Sequence, residues 1–306
     1  MRIQSLRDIH LSFPDTDGFW NTQNLPETEG KIRALLPLGD GPVHAAQVEA
    51  LTQIARVFVL QGKLKEAKDF LNYADSLLKD LSVEDALKPQ VRIFLEEGRV
   101  YGLSMFPDRA LEYFRKAWDL SFENRRLDSL AIDAAYMISV TLPSKQGKTW
   151  LKGALDLAEH ADASPTAKKW RAHLYMRFGW QEFDVRNFAT ALEYFDKALE
   201  NADRDDVFLQ RTLRWCRARV LRSLGKFNEA MVMQNEIFSD LAGEGVLNGH
   251  VYLELAECYQ SLQDQDQASY YYELAHEKLK MSKWYSENFV NELSEILKRS
   301  KKKKYR

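Results

Sequence analysis

The sequence predicts an all-α fold, an α-solenoid of about six helical hairpins that follow one another along the chain. From about residue 46 onward one pattern recurs: a helix with small residues near its middle, a tight turn, and a second helix with alanines that flank a large residue. Prolines fall in turns or near the starts of first helices, and none follows Pro165. We therefore expect nearly uninterrupted helix in the second half.

The second helix of each unit carries the pattern most clearly. Ala67, Leu71 and Ala74 share one helical face, and the other units repeat the frame with Ala110, Phe114 and Ala117; Gly147, Leu151 and Ala154; Ala191, Phe195 and Ala198; Ala230, Gln234 and Ile237; and Ala268, Tyr272 and Ala275. The first residues of successive sets lie 37 to 44 positions apart. Small residues allow two helices to cross closely, and the large residue fills the groove beside the crossing.

The first helix of each unit supplies the other side of that crossing. A small residue stands twelve positions before the first residue of each set, at Ala55, Gly98, Ala135, Gly179, Ala218 and Ala256. Each unit is therefore predicted to be one hairpin in a shared frame.

The two ends of the chain differ from the repeats. Residues 1–43 contain four of the eight prolines and are predicted to be an irregular segment packed on the first repeat, while the solenoid covers 44–297. The stretch WYSENFVNELSEILKR is predicted to be a C-terminal capping helix, because the last hairpin of a solenoid needs a cover for its apolar face. Residues 298–306 contain seven basic residues and are predicted to be a disordered tail.

Composition limits the classes of function. The formal net charge of −2 gives no general preference for nucleic acid or anionic membranes, so such binding is expected only through the basic tail. The opening residues lack the apolar stretch of a signal peptide, and no segment is long enough to span a membrane, so we expect a cytoplasmic protein. Two isolated cysteines fit a reducing compartment.

No pattern indicates an enzyme, a cofactor or a metal. The GKT at Gly147 lacks the earlier glycine and the strand of a phosphate-binding loop, and the glycines near Gly245 follow no strand. The six histidines do not form metal-ligand pairs, and no histidine on the same helix activates Cys216. We expect a binding protein without a catalytic residue or cofactor.

The recurring frame resembles the tetratricopeptide repeat superfamily over about residues 44–297. The long period is similar to that of MalT-type regulators and Rap-type peptide sensors, and runs such as LTQIARVFVLQGKLKEA are similar to uncharacterised bacterial-type repeat proteins. Met105 and Gln263 stand where a turn glycine is usual, and Arg214 and Arg217 where apolar residues are usual. The resemblance implies a right-handed solenoid that serves as an adaptor or scaffold, with a peptide held in the concave groove formed by the first helices.

In such a fold the residue after each small residue of the first helix faces the groove. These residues and their neighbours give the candidate binding set, which is Gln53, Arg56, Arg92, Arg99, Asp133, Tyr136, Arg177, Trp180, Trp215 and Arg219. Arginine offers a planar fork for carboxylates, and tryptophan and tyrosine offer rigid apolar faces. The set favours an acidic peptide or a peptide that presents its C-terminal carboxylate.

Three alternatives stay open at the level of sequence. The groove arginines could pair within the protein, with Glu96, Glu97, Asp133 and Glu254 as partners, and such pairing can coexist with ligand binding. The basic tail could associate with nucleic acid or an anionic surface. A pocket around Tyr136, Trp180 and Trp215 could sense a small molecule or peptide. The sequence leaves the partner, the pathway and the oligomeric state unspecified.

Overall fold

The computed structural model describes residues 24–36, 42–243, 248–280 and 294–297. Helix α1 (Leu25–Arg33) precedes six helical hairpins in this part of the chain. The hairpins pair α2 (Ala45–Leu60) with α3 (Leu64–Leu77), α4 (Val83–Leu103) with α5 (Pro107–Phe122), α6 (Asp128–Thr141) with α7 (Ser144–Glu159), α8 (Pro165–Asp184) with α9 (Phe188–Asn201), α10 (Val207–Ser223) with α11 (Phe227–Gly243), and α12 (Gly249–Ser261) with α13 (Gln265–Leu279). The predicted all-α fold of six hairpins is confirmed.

The chain divides into two compact units. Unit 1 ends at Leu174 and unit 2 begins at Tyr175, so the division falls within α8. Unit 1 contains α1 to α7 and the first half of α8. Unit 2 contains the second half of α8, the helices α9 to α13 and the short helical stretch at 294–297.

The close crossing within each hairpin follows from the small residues. A Cβ atom placed on Gly98 would collide with the ring of Phe114, and one placed on Gly179 would lie 2.8 Å from the ring of Phe195. The middle residue of each set on the second helices is fully buried, as Leu71, Phe114, Leu151, Phe195, Gln234 and Tyr272 show. Packing of this kind fixes the two helices of a hairpin at one separation.

In five of the six described hairpins, the third being the exception, the turn contains a residue in the left-handed backbone conformation. Gly62 and Gly225 have φ values of 74° and 78°, and Met105, Arg186 and Gln263 have φ values of 67°, 61° and 63°. Side chains with a Cβ are disfavoured in this conformation. The absence of glycine at Met105 and Gln263 therefore leaves the turn geometry unchanged and adds local strain.

In three hairpins a stacked pair of aromatic rings occupies equivalent positions of the frame, a feature that the sequence analysis missed. In each of these pairs, one ring stands three positions after the small residue of the first helix and the other stands three positions after the alanine that begins the set on the second helix. The stacked ring pairs are Phe58 with Phe70, Tyr101 with Tyr113, and Tyr259 with Tyr271, at centroid distances of 5.4, 5.3 and 5.5 Å. Each pair joins the first and second helices of one hairpin. Its signal in the sequence is two aromatic residues twelve positions apart.

Part of the segment predicted to be irregular forms helix α1. Its start is capped by the Asn24 side chain, which accepts a hydrogen bond from the backbone N–H of Glu27 at 3.2 Å. Ile32 packs in the core of the first hairpin, and the Arg33 guanidinium lies 5.1 Å from the centre of the Phe70 ring. Residues 1–23 and 37–41 lie outside the described residues.

After residue 280 the structure describes only 294–297, which belong to the predicted C-terminal capping helix. These four residues are helical, and Ile296 and Leu297 pack against the apolar core that contains Tyr252 and Tyr272. The remainder of the predicted capping helix and the basic tail at 298–306 lie outside the described residues. Among the described helices, none is long and apolar enough to cross a membrane.

Candidate functional site

Buried ion pairs connect the first helices of unit 1. Arg56 Nη1 donates to Glu96 Oε1 at 3.0 Å, and Arg99 donates to Glu96 Oε1 through Nη1 and to both Asp133 oxygens through Nη2, each at 2.6 Å. All four residues are at most 5% exposed. Arg56 and Arg99 are thus bound to carboxylates within the protein.

The pKa values in this cluster reflect burial and charge together. Burial, together with the positive charge of Arg99, lowers the pKa of Arg56 to about 10, and the negative charge of Glu96 opposes the change. Burial also acts to lower the pKa of Arg99, but the charges of Asp133 and Glu96 outweigh it and the pKa is raised. Both guanidiniums stay charged at neutral pH.

The other candidate residues of unit 1 are buried as well. Arg92 donates from Nε to Glu49 at 3.2 Å, and the Gln53 amide donates to the Thr52 hydroxyl at 3.4 Å. The Tyr136 ring is 5% exposed and lies 5.7 Å from the ring of Trp170. The structure therefore brings the predicted residues of unit 1 together, but in the internally paired state that the sequence left as an alternative.

The ion pairs follow a rule that is visible in the sequence. The arginine one position after the small residue of a first helix pairs with the carboxylate two positions before the small residue of the next first helix. This rule joins Arg56 to Glu96, Arg99 to Asp133 and Arg219 to Glu254. The sequence analysis named Glu96, Asp133 and Glu254 as possible partners, and the repeat frame gives the spacing at which they pair.

In unit 2 an aromatic cluster surrounds Arg219. The Arg219 guanidinium lies 5.7, 5.6 and 5.4 Å from the ring centres of Trp180, Phe183 and Trp215. The two tryptophan rings lie 6.0 Å apart. Phe183 was not predicted, although it stands one helical turn after Trp180 on α8. Stacking on these rings holds the guanidinium in a defined orientation.

The cluster is partly open to solvent, unlike the buried ion pairs of Arg56 and Arg99 in unit 1. The Arg219 side chain is 36% exposed, and Trp180, Trp215 and Arg177 are half-buried. Arg177 makes no ion pair within the described part of the chain. We refer to Arg177, Trp180, Phe183, Trp215 and Arg219 as the Arg219 surface.

The nearest carboxylate to Arg219 is shared with a second arginine. Glu254, whose side chain is 3% exposed, lies 3.5 Å from Arg219 Nε and accepts a hydrogen bond from Arg222 Nε at 2.8 Å. Arg222 Nη1 also donates to Glu257 at 3.3 Å. Burial acts to lower the pKa of Arg222, but Glu254 outweighs it and the pKa is raised. Glu254 is thus bound mainly by Arg222, and the charge of Arg219 is only partly neutralised.

His250 packs edge-on against Trp215, with the ring centres 5.8 Å apart. Burial lowers the pKa of His250 to about 4, with a further contribution from the positive charge of Arg219. The imidazole is therefore neutral at neutral pH, and the positive charge at this surface comes from arginine.

The Cys258 thiol near Glu254 is protonated at neutral pH. Burial raises the pKa of the Cys258 thiol to about 12, and the charge of Glu254 acts in the same direction. No group of three metal-ligating side chains comes together in the described ranges. The arrangement at the Arg219 surface can bind an anion beside an apolar group.

Comparison with known proteins supports the fold. No protein-family model matches the chain, and no curated protein matches its sequence. A tetratricopeptide repeat protein from Parabacteroides merdae ATCC 43184 is similar in structure over 98% of each chain, with a TM-score of 0.54 and 17% identity. Aspartyl phosphate phosphatase F from Bacillus subtilis matches 86% of this chain and 65% of its own, with a TM-score of 0.57 and 14% identity.

The apo form of RapI also has a similar structure. It matches 77% of this chain and 100% of its own, with a TM-score of 0.52 and 12% identity. The chain therefore has the tetratricopeptide-repeat fold, and the predicted resemblance is confirmed at the level of the fold.

Proposed function

We propose that this protein is a non-catalytic scaffold that binds a protein segment on the Arg219 surface of unit 2. The observation that carries the proposal is the contrast between two sets of groove arginines. Arg56 and Arg99 are buried and bound to carboxylates, whereas Arg219 is 36% exposed and shares one carboxylate with Arg222. A half-exposed arginine fixed on aromatic rings is available to a ligand at small entropic cost.

The chemistry of the surface favours an acidic segment or a segment that presents its C-terminal carboxylate. Arg219 can donate two parallel hydrogen bonds from its Nη atoms to a ligand carboxylate. Trp180 and Trp215 offer large, rigid faces for an apolar side chain next to that carboxylate.

Cytoplasmic location, expected from the opening residues, stays a prediction.

The test is a pull-down from cell lysate with the full chain and with Arg219→Glu, followed by mass spectrometry of the recovered proteins. Arg214→Glu is the matched control, because Arg214 lies on the same helix but is not part of the Arg219 surface. Its Nη2 pairs with Asp240 at a distance of 2.7 Å. We expect a partner that is captured by the wild type and by Arg214→Glu and is lost with Arg219→Glu.

Arg99→Glu does not provide the same test. It would place a third carboxylate beside Glu96 and Asp133, which are both buried, and would unfold unit 1. Capture of the same partners by the wild type and by Arg219→Glu, with equal helix content, would overturn the proposal.

A further inference from the structure

Glu254 lies against the buried Nε of the Arg219 guanidinium, whereas a ligand carboxylate would bind at the solvent side of the same group. Its oxygen lies 3.5 Å from Arg219 Nε, yet that Nε makes no hydrogen bond within the described residues. The contact is therefore electrostatic and poorly oriented, because a hydrogen bond of normal strength needs a shorter distance and a better angle. The firm partner of Glu254 is Arg222, at 2.8 Å.

We propose that Glu254 is an internal competitor for the ligand carboxylate at Arg219, and that Arg222 is a positioning residue that holds Glu254 back from full pairing. This inference rests on the proposed function. When a ligand carboxylate pairs with Arg219, Glu254 stays hydrogen-bonded to Arg222. Exchange at Arg219 therefore leaves no buried carboxylate without a partner, which would otherwise be the main cost of ligand entry.

The charges predict opposite effects for the two residues. Glu254→Gln removes the negative charge beside Arg219, while Arg222 keeps Glu257 as its partner at 3.3 Å. We expect tighter binding of an acidic ligand by about two- to fivefold at low salt, in line with the strength of partly exposed ion pairs. Arg222→Gln frees Glu254 to pair fully with Arg219 and should weaken binding by a similar factor.

The double variant Arg222→Gln/Glu254→Gln restores the local net charge and should bind within about twofold of the wild type, because the two charge changes cancel. Glu257→Gln is the matched control. It removes one negative charge from the same helix, but within the described residues Glu257 pairs with Arg222 and forms no ion pair with Arg219. We expect less than about a twofold change for this control, so a larger change would point to net charge and not to Glu254.

The probe is a library of twelve-residue peptides with free carboxyl ends. Each peptide is paired with a neutral version in which Asn replaces Asp, Gln replaces Glu and the C-terminus is an amide. The affinity of each full-length variant for the peptides that the wild type selects is measured by fluorescence polarisation. The melting temperature of each variant is measured as well. Tightening with Glu254→Gln, weakening with Arg222→Gln and recovery in the double variant would support the inference.

The outcomes separate the inference from the proposed function. If the wild type does not prefer acidic peptides over their amides, or if Arg219→Glu binds as well as the wild type, the proposed ligand and the inference both fail. If Arg219→Glu abolishes binding but Glu254→Gln leaves affinity unchanged or weaker at an unchanged melting temperature, only the inference fails.

Discussion

At the scale of single residues, a polar side chain at an apolar position of the repeat frame lowers the stability of the fifth hairpin. Gln234 takes the place of the large residue in the fifth hairpin and is fully buried. Its amide nitrogen and oxygen have no hydrogen-bond partner within the described residues. A buried amide without partners costs stability that a hydrocarbon side chain of similar size would not.

Gln234→Leu should therefore stabilise unit 2 by about 1–3 kcal/mol, because it removes the unpaired amide and keeps the volume. The measurement is the midpoint of urea unfolding followed by circular dichroism. Gln210→Leu is the control, because the Gln210 amide donates to the Ala202 carbonyl at 3.2 Å and its loss should not stabilise. A lower midpoint for Gln234→Leu would show that the amide is satisfied.

His250 predicts how stability depends on pH. Its pKa is about 4 in the folded state against an ordinary value of 6.5, so the unfolded chain binds the proton more tightly. The stability contributed by the neutral ring is present above pH 6.5 and is lost as the pH falls towards 4, with a loss of about 2 kcal/mol at pH 5. Thermal melting from pH 7 to 5 checks this, and His250→Gln should remove that part of the slope.

At the scale of the elements, the close helix crossings set the limits on substitution. Gly98 and Gly153 both lie within helices, yet a Cβ on Gly98 would collide with the Phe114 ring whereas a Cβ on Gly153 would have no atom within 4 Å. Alanine is the better helix former at both positions. Local packing must therefore decide the sign of the change.

Gly98→Ala should destabilise unit 1 by about 1–3 kcal/mol through overpacking, and Gly153→Ala should stabilise it by up to about 1 kcal/mol. Urea unfolding of the full chain gives both values. Phe114→Leu combined with Gly98→Ala should cost less than the sum of the two single changes, because the smaller side chain vacates the space that the new methyl group needs. Strict additivity would contradict the packing argument.

At the scale of the whole molecule, the sequence predicted the repeat frame, but it left internal pairing of the groove arginines as one of several alternatives. Ala67, Ala110 and Ala191 recur with their small partners on the first helices, and that spacing alone gives the hairpins. Helix α1 was missed because Pro26 and Gly30 are turn-forming signals, whereas Pro26 also serves as a helix start after Asn24. Local signals of this kind fit a turn and a helix equally well.

The candidate site was predicted in part, since the frame indicates which side chains share a face but not which of them pair. Arg99 and Arg219 hold the same position in the frame. Arg99 meets Asp133 and Glu96 on both sides, while Arg219 meets aromatic rings and a carboxylate already bound by Arg222. The difference depends on neighbours from adjacent hairpins, which the sequence of one helix does not reveal.

This difference predicts a division of roles between the two arginines. Arg99→Met should destabilise unit 1 by about 3–5 kcal/mol, because it leaves Asp133 and one side of Glu96 buried without their main counter-charge. Arg219→Met should change the stability of unit 2 by less than about 1 kcal/mol, since its side chain is 36% exposed, and should still abolish capture of the partner. Hydrogen exchange measured peptide by peptide assigns each stability change to its unit. If Arg219→Met instead unfolds unit 2 as severely as Arg99→Met unfolds unit 1, Arg219 is a structural residue, and the loss of a partner would no longer identify its surface as the binding site.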